Sequence, residues 1–109
     1  MNIVKIRTQK NYSEASNHVL IGSVVESNKI FIRLNCKTFH YKSPTLELDQ
    51  VTEGDIGERL IPWNNVECIN ILSDEFNWKK AVLDKCNNGI CLKYNDQSTL
   101  ISRYRITHR

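Results

Sequence analysis

The longest alternating run in the chain, Ile30–Tyr41, sets the strongest limit on its fold. Its even-numbered side chains, from Ile30 to His40, are mostly apolar, whereas the odd-numbered ones mix aromatic, basic and polar types. Residues two positions apart share one face of a β-strand. The run therefore predicts a long strand whose even-numbered face meets the core and whose odd-numbered face is at least partly exposed.

Most of the remaining chain also has β character. Short segments rich in β-branched residues are separated by turn signals, and a pattern of this kind predicts a β-sandwich or a β-barrel. Gly22 lies inside one such segment and predicts a bulge or sharp bend, and Ser27-Asn28 is the predicted turn before the long strand. The predicted strands cover residues 3–7, 18–26, 30–41, 59–62, 66–72, 78–85, 90–94 and 99–107. We predict an all-β fold, a small and strongly bent β-barrel that a C-terminal three-stranded meander extends.

Length and composition favour one folded domain. The chain has 109 residues, of which 40% are hydrophobic and 25% charged, which excludes a disordered chain and a membrane span. The acidic stretch around residues 42–58 is predicted to be a loop insertion within a single domain 1–109. The N-terminus lacks the apolar segment of a signal peptide, so we expect a cytoplasmic location and no membrane partner.

The sequence has four cysteines, and no two of them form a CxxC motif. They are Cys36, Cys68, Cys86 and Cys91. If Asn88-Gly89 forms a two-residue hairpin loop, Cys86 lies opposite Cys91, at a distance that allows a disulfide. A reduced compartment favours the other interpretation, in which both are small packing residues, and that is the one we expect.

Signatures of catalysis and metal binding are missing from the sequence. It has no GxSxG, GxxxxGK[ST] or HExxH motif, so we predict a non-enzymatic protein without catalytic residues or a cofactor. A metal site built from His18, Cys36 and His40 would need a particular strand register, and structural zinc requires four ligands. We therefore predict no metal site, and expect a half-buried histidine and a packed thiol instead.

Charge and aromatic patterning suggest a binding surface. Residues 1–45 and 76–109 each carry seven basic and two acidic side chains, whereas residues 46–75 carry one basic and eight acidic. Aromatic rings stack on bases and basic groups neutralise phosphates. The predicted nucleic-acid-binding residues are Phe31, Arg33, Lys37, Phe39 and Tyr41, with added charge from Arg103 and Arg105. The same aromatic side chains are equally consistent with a core or a subunit interface.

Two segments resemble a known family. Val19–Val25 and Ile30–Leu34 are similar to the first motif of Sm-like proteins, and Leu60–Ile69 is similar to the second, although Pro62-Trp63 stands where the family has Arg-Gly. The resemblance covers roughly residues 18–72 and extends to SH3-like barrels. It implies a small bent barrel that forms rings and binds RNA.

The predicted function is therefore a non-enzymatic module that binds single-stranded RNA or DNA through the aromatic and basic face of one strand. The alternative is a protein-interaction or self-assembly module that forms a homo-oligomer, because open strand edges promote pairing with another chain.

Overall fold

The computed structural model describes residues 2–10, 15–42 and 47–103, and within these ranges the chain forms β-strands and two 3₁₀ turns. The strands are β1 Ile3–Thr8, β2 Asn17–Ser27, β3 Phe31–Tyr41, β4 Thr52–Glu53, β5 Gly57–Pro62, β6 Val66–Leu72, β7 Val82–Cys86, β8 Gly89–Tyr94 and β9 Gln97–Arg103. The 3₁₀ turns are Leu48–Gln50 and Trp63–Asn65. The last four residues of the predicted C-terminal strand, 104–107, lie outside the described ranges.

The strands form two antiparallel sheets. Sheet A has the order β4-β3-β2-β1-β6, and β5 also pairs with β3, whereas sheet B has the order β7-β8-β9. The predicted all-β class is confirmed, and β7 to β9 form the C-terminal three-stranded meander. A closed barrel is not detected, because no ladder between described residues joins β5 to β6, the two strands at opposite edges of sheet A.

The hairpin of β2 and β3 turns later than predicted. Its loop is held by the Asn28 side-chain oxygen, which accepts hydrogen bonds from the backbone amides of Ile30 at 2.8 Å and Phe31 at 2.9 Å. An Asx turn of this kind replaces the predicted Ser27-Asn28 turn. A turn at Ser27-Asn28 would place Val19 opposite Cys36, whereas the later turn places it opposite Phe39.

Gly22 does not form a bulge, which was one of the two predicted features. It pairs in regular register with Cys36, and the irregularity of the β2–β3 ladder lies further along, between Val24 and Glu26. A Cβ atom at Gly22 would overlap the backbone oxygen of Asn35. The glycine therefore permits the close approach of β3 to β2.

Sheet A is covered on both of its faces. On one face lies the inner core, formed by Val4, Ile6, Leu20, Ile32, Leu34, Cys36 and Ile61. On the other lies the intersheet core, formed by Val19, Ile21, Phe39, Tyr41, Val51, Phe76, Trp78, Ala81, Ile90, Leu92 and Ile101. The second list combines residues of β2 and β3 with residues of β8, of β9 and of the segment that precedes β7, so sheet B and that segment pack on the odd-numbered face of β3.

Polar side chains of sheet A tie sheet B in place through its backbone. Lys5 Nζ donates to the Leu100 carbonyl at 2.7 Å, and Arg7 donates to the Ile101 carbonyl at 3.3 Å. Burial lowers the pKa of Lys5. Both carbonyls belong to β9, so these bonds fix the position of the strand at one edge of sheet B.

The hairpin of β7 and β8 turns one residue earlier than predicted. Cys86 pairs with Gly89 and Asp84 pairs with Cys91, so the loop is Asn87-Asn88. Cys86 and Cys91 are therefore diagonal neighbours on one face of the hairpin, and they form a disulfide with a Cα–Cα distance of 6.2 Å. The expectation that both cysteines stay reduced is wrong in this structure.

Candidate functional site

The five predicted binding residues of β3 do not share one exposed surface. Lys37, Phe39 and Tyr41 are buried, and both aromatic rings belong to the intersheet core. The prediction that the odd-numbered face is exposed is therefore wrong over residues 37–41. The physical cause is sheet B, whose apolar side chains cover this half of the strand.

The polar atoms of the buried residues have partners inside the protein. Lys37 Nζ lies 2.9 Å from the Lys79 carbonyl and 3.2 Å from a carboxylate oxygen of Glu53. The Tyr41 hydroxyl accepts a hydrogen bond from Arg7 at 2.7 Å and donates one to Ile101. These groups hold the fold together, and they would have to leave their partners to contact a ligand.

Phe31 and Arg33 lie at the half of β3 that sheet B does not cover, and both are half-exposed. The Arg33 guanidinium lies between two carboxylates, 2.8 Å from Glu26 and 3.4 Å from Glu58. Two acidic neighbours offset its positive charge, which weakens attraction to a phosphate. Of the two residues expected to add charge, Arg103 is exposed at the end of β9 and Arg105 lies outside the described residues.

The candidate metal ligands His18, Cys36 and His40 do not form a site. His18 and His40 are paired across β2 and β3 with ring centroids 4.2 Å apart and an interplanar angle of 77°. Cys36 is fully buried in the inner core, and burial raises the pKa of its thiol to about 11. Within the described ranges, no three His, Cys, Asp or Glu side chains lie close enough together to hold a metal ion.

The His40 ring is electrostatically perturbed. Burial lowers the pKa of His40, and the positive charges of His18 and Arg59 lower it further. Neutral imidazole is therefore favoured at this position. Three side chains that can carry positive charge therefore lie close together at this end of β2 and β3, namely His18, His40 and Arg59.

The outer edge of β6 is the most accessible apolar feature of sheet A. β6 pairs with β1 on one side, and no described strand pairs with its other side. Ile69 and Ile71 are 38% and 74% exposed. They lie opposite the buried residues Ile6 and Val4, so they continue the face of the inner core out to an uncovered edge.

The strand β5 forms the other open edge beside β3. It pairs with the first half of β3, and its exposed apolar side chain is Leu60, at 55%. Pro62 ends this strand, as expected for a residue that cannot donate to a ladder. The sequence indicates that both segments are strands, but strand order decides which of them lie at an edge, and no local pattern encodes strand order.

Comparison of the chain with family models, with characterised proteins and with solved structures gives no match. The segments that resemble Sm-like motifs lie in β2, in the start of β3 and across β5 and β6, and the resemblance stays a prediction. In the parts of the chain that the structure describes, no helix has the length and apolar character needed to cross a bilayer.

Proposed function

We propose that the protein is a non-enzymatic self-assembly module in which β6 of one copy pairs with β5 of another. The observation that carries this proposal is the outer edge of β6, with which no described strand pairs, together with its two exposed isoleucines. An exposed apolar edge strand presents free N–H and C=O groups and apolar side chains at the same place, and it is a template for pairing with another strand.

The edge of β6 lacks the usual protection against pairing. Natural edge strands carry lysine, proline, bulges or inward-pointing charges that prevent the addition of a further strand. The sequence of β6, Val66–Leu72, contains neither lysine nor proline, and its one charged residue is Glu67. The irregularity in its ladder with β1 lies at Arg7 and Thr8, near the start of β6, which leaves Cys68–Leu72 regular.

A second copy of this chain is the partner that fits both open edges. β6 lies at one end of sheet A and β5 at the other, and both expose apolar side chains. A head-to-tail contact between β6 and β5 would use both edges of every copy. Contacts of this kind repeat, and they close into a ring where the rotation between copies permits.

The exposed fraction of Ile71 gives the scale of the interaction. Complete burial of an isoleucine side chain contributes about 1.5–3 kcal/mol, and Ile71 is 74% exposed in the single chain. Its burial at an interface is therefore expected to contribute about 1–2 kcal/mol, which corresponds to a change in the dissociation constant of about tenfold. A lysine at this position would lose that contribution and add a charge that must be desolvated.

The test is sedimentation velocity over a range of protein concentrations. The wild-type chain is expected to sediment as an oligomer, and I71K is expected to shift the equilibrium to the monomer. The control is I30K, since Ile30 has the same 74% exposure but lies in the β2–β3 loop and not on an open edge. A monomeric wild-type chain, or equal dissociation by both variants, would contradict the proposal.

Binding of single-stranded RNA or DNA at β3 has less support, because only Phe31 and Arg33 of the five predicted residues are accessible. A gel-retardation assay at low salt tests it directly. Retardation that is lost in R33Q while the oligomeric size is unchanged would favour nucleic-acid binding over the assembly proposed here.

A further inference from the structure

Strands β1 and β2 separate at one end of sheet A and form a fork. Their ladder runs from Ile3 opposite Ser23 to Arg7 opposite Val19. The next residue of β1, Thr8, pairs with Val66 of β6, whereas the preceding residue of β2, His18, pairs with His40 of β3. Beyond this point β1 stays paired with β6 and β2 stays paired with β3. A cavity of about 390 Å³ lies between the two separated strand ends.

The walls of this cavity are polar. The backbone amide of Gln9 donates to the Asn65 carbonyl at 2.9 Å, which fixes the 3₁₀ turn Trp63–Asn65 against the end of β1. No carboxylate is present among the described residues that line the cavity. The polar residues of the lining are Thr8, Gln9, Lys10, Ser16, His18 and Asn65.

Basic side chains lie close together at the same place. Lys10 and His18 are exposed at the cavity. The ring of His40 lies 4.2 Å from that of His18, and Arg59 is near enough to act on His40 electrostatically. Basic side chains that no carboxylate of the described lining neutralises attract an anion, whose negative charge offsets theirs.

We propose that this fork binds the phosphate group of a small phosphorylated molecule. Lys10 and His18 would supply charge-assisted hydrogen bonds to the phosphate oxygens, and the hydroxyls of Thr8 and Ser16 and the amide of Asn65 would supply neutral ones. The volume is within the range of small-molecule sites and larger than a phosphate ion requires, so an attached sugar or similar group also fits. This proposal does not depend on the assembly proposed above.

The test is an NMR titration of the full chain with inorganic phosphate, adenosine 5′-monophosphate and adenosine. Saturable shifts of the Lys10 and His18 resonances with phosphate are expected at ligand concentrations on the order of 1–10 mM. Tighter binding of the monophosphate than of phosphate would assign the site to a phosphorylated organic ligand. Equal binding of the two would assign it to the phosphate group alone.

Variants locate the site. K10Q and H18Q are each expected to weaken phosphate binding by about 10- to 100-fold, the usual effect of removing one hydrogen bond to a charged group. K29Q is the control, because Lys29 is an exposed lysine in the β2–β3 loop at a position that does not line the cavity. The absence of saturable shifts with phosphate, equal binding of adenosine and its monophosphate, or an equal loss in K29Q would overturn the proposal.

Discussion

The hydroxyl of Tyr41 offers a direct test of whether β3 has a structural role in its second half. This hydroxyl lies between the two sheets, where it accepts a hydrogen bond from Arg7 at 2.7 Å and donates one to the Ile101 carbonyl at 3.0 Å. The substitution Y41F removes both bonds and keeps the aromatic ring. If Tyr41 acted as a stacking platform for bases, loss of the hydroxyl would leave its function intact.

The contacts set the size of the expected effect. The bond to Ile101 is between neutral groups and is worth about 1 kcal/mol, whereas the bond from the Arg7 guanidinium is worth about 1.5–3 kcal/mol. Arg7 also donates to the Ile101 carbonyl at 3.3 Å, so that acceptor keeps a partner in the variant. Arg7 is half-buried and regains some hydration, which places the loss of unfolding free energy at about 2–3 kcal/mol.

The assay is equilibrium unfolding in urea, supported by a thermal melt. For a domain of this length, about 4 °C is lost per kcal/mol, so Y41F is expected to lower Tm by about 8–12 °C. The control is Y94F, because Tyr94 also packs against the intersheet core and, among the described residues, its hydroxyl has no hydrogen-bond partner in sheet A. A stability of Y41F within about 0.5 kcal/mol of Y94F would refute the structural role.

Two further predictions concern pH and redox state. Because the pKa of His40 is lowered in the folded chain, mainly by burial and then by His18 and Arg59, the unfolded chain takes up the proton first. The unfolding free energy should therefore be constant above the ordinary histidine pKa of about 6.5, and it should fall at lower pH until His40 of the folded chain is protonated. Urea titrations across this pH range should show the fall. An equal fall in the variant H40Q would contradict the assignment to His40. The Cys86–Cys91 disulfide closes a short loop with a sequence separation of 5, and loop entropy predicts that it adds about 2 kcal/mol to the unfolding free energy. A reductant should remove this contribution from the wild-type chain and leave the stability of the double variant C86S/C91S unchanged. An equal loss of stability in both proteins would show that the disulfide does not provide it.

The strand Ile30–Tyr41 shows how far local patterns determine this fold. Its even-numbered residues Ile32, Leu34 and Cys36 lie in the inner core, as the alternation predicts. Ile30 is an exception because the Asx turn of Asn28 places it in the loop. Alternation within a segment therefore predicted the strand and its buried face, whereas the side-chain chemistry of a single turn residue decided the register.

The odd-numbered face of the same strand could not be predicted from its own sequence. Phe39 and Tyr41 are buried because Trp78, Ile90 and Leu92 pack on them, and those residues come about forty to fifty positions later in the chain. An aromatic and basic stripe has the same local pattern whether a ligand or a second sheet covers it. The candidate site was thus predicted at a place that tertiary packing removes from solvent.

The accessible features of this fold are found where strand pairing ends. The central strands of sheet A are packed on both faces, so over most of their length their side chains are committed to one of the two cores. Ligand-accessible groups must then come from positions at which a strand lacks a neighbour on one side, or at which two neighbours separate. The β6 edge beside Ile71 is a place of the first kind, and the fork between Thr8 and His18 is a place of the second kind. Both places depend on strand order and ladder length, which arise from the pairing of segments that are distant in the sequence. Function in such a chain is therefore easier to infer from its topology than from its motifs.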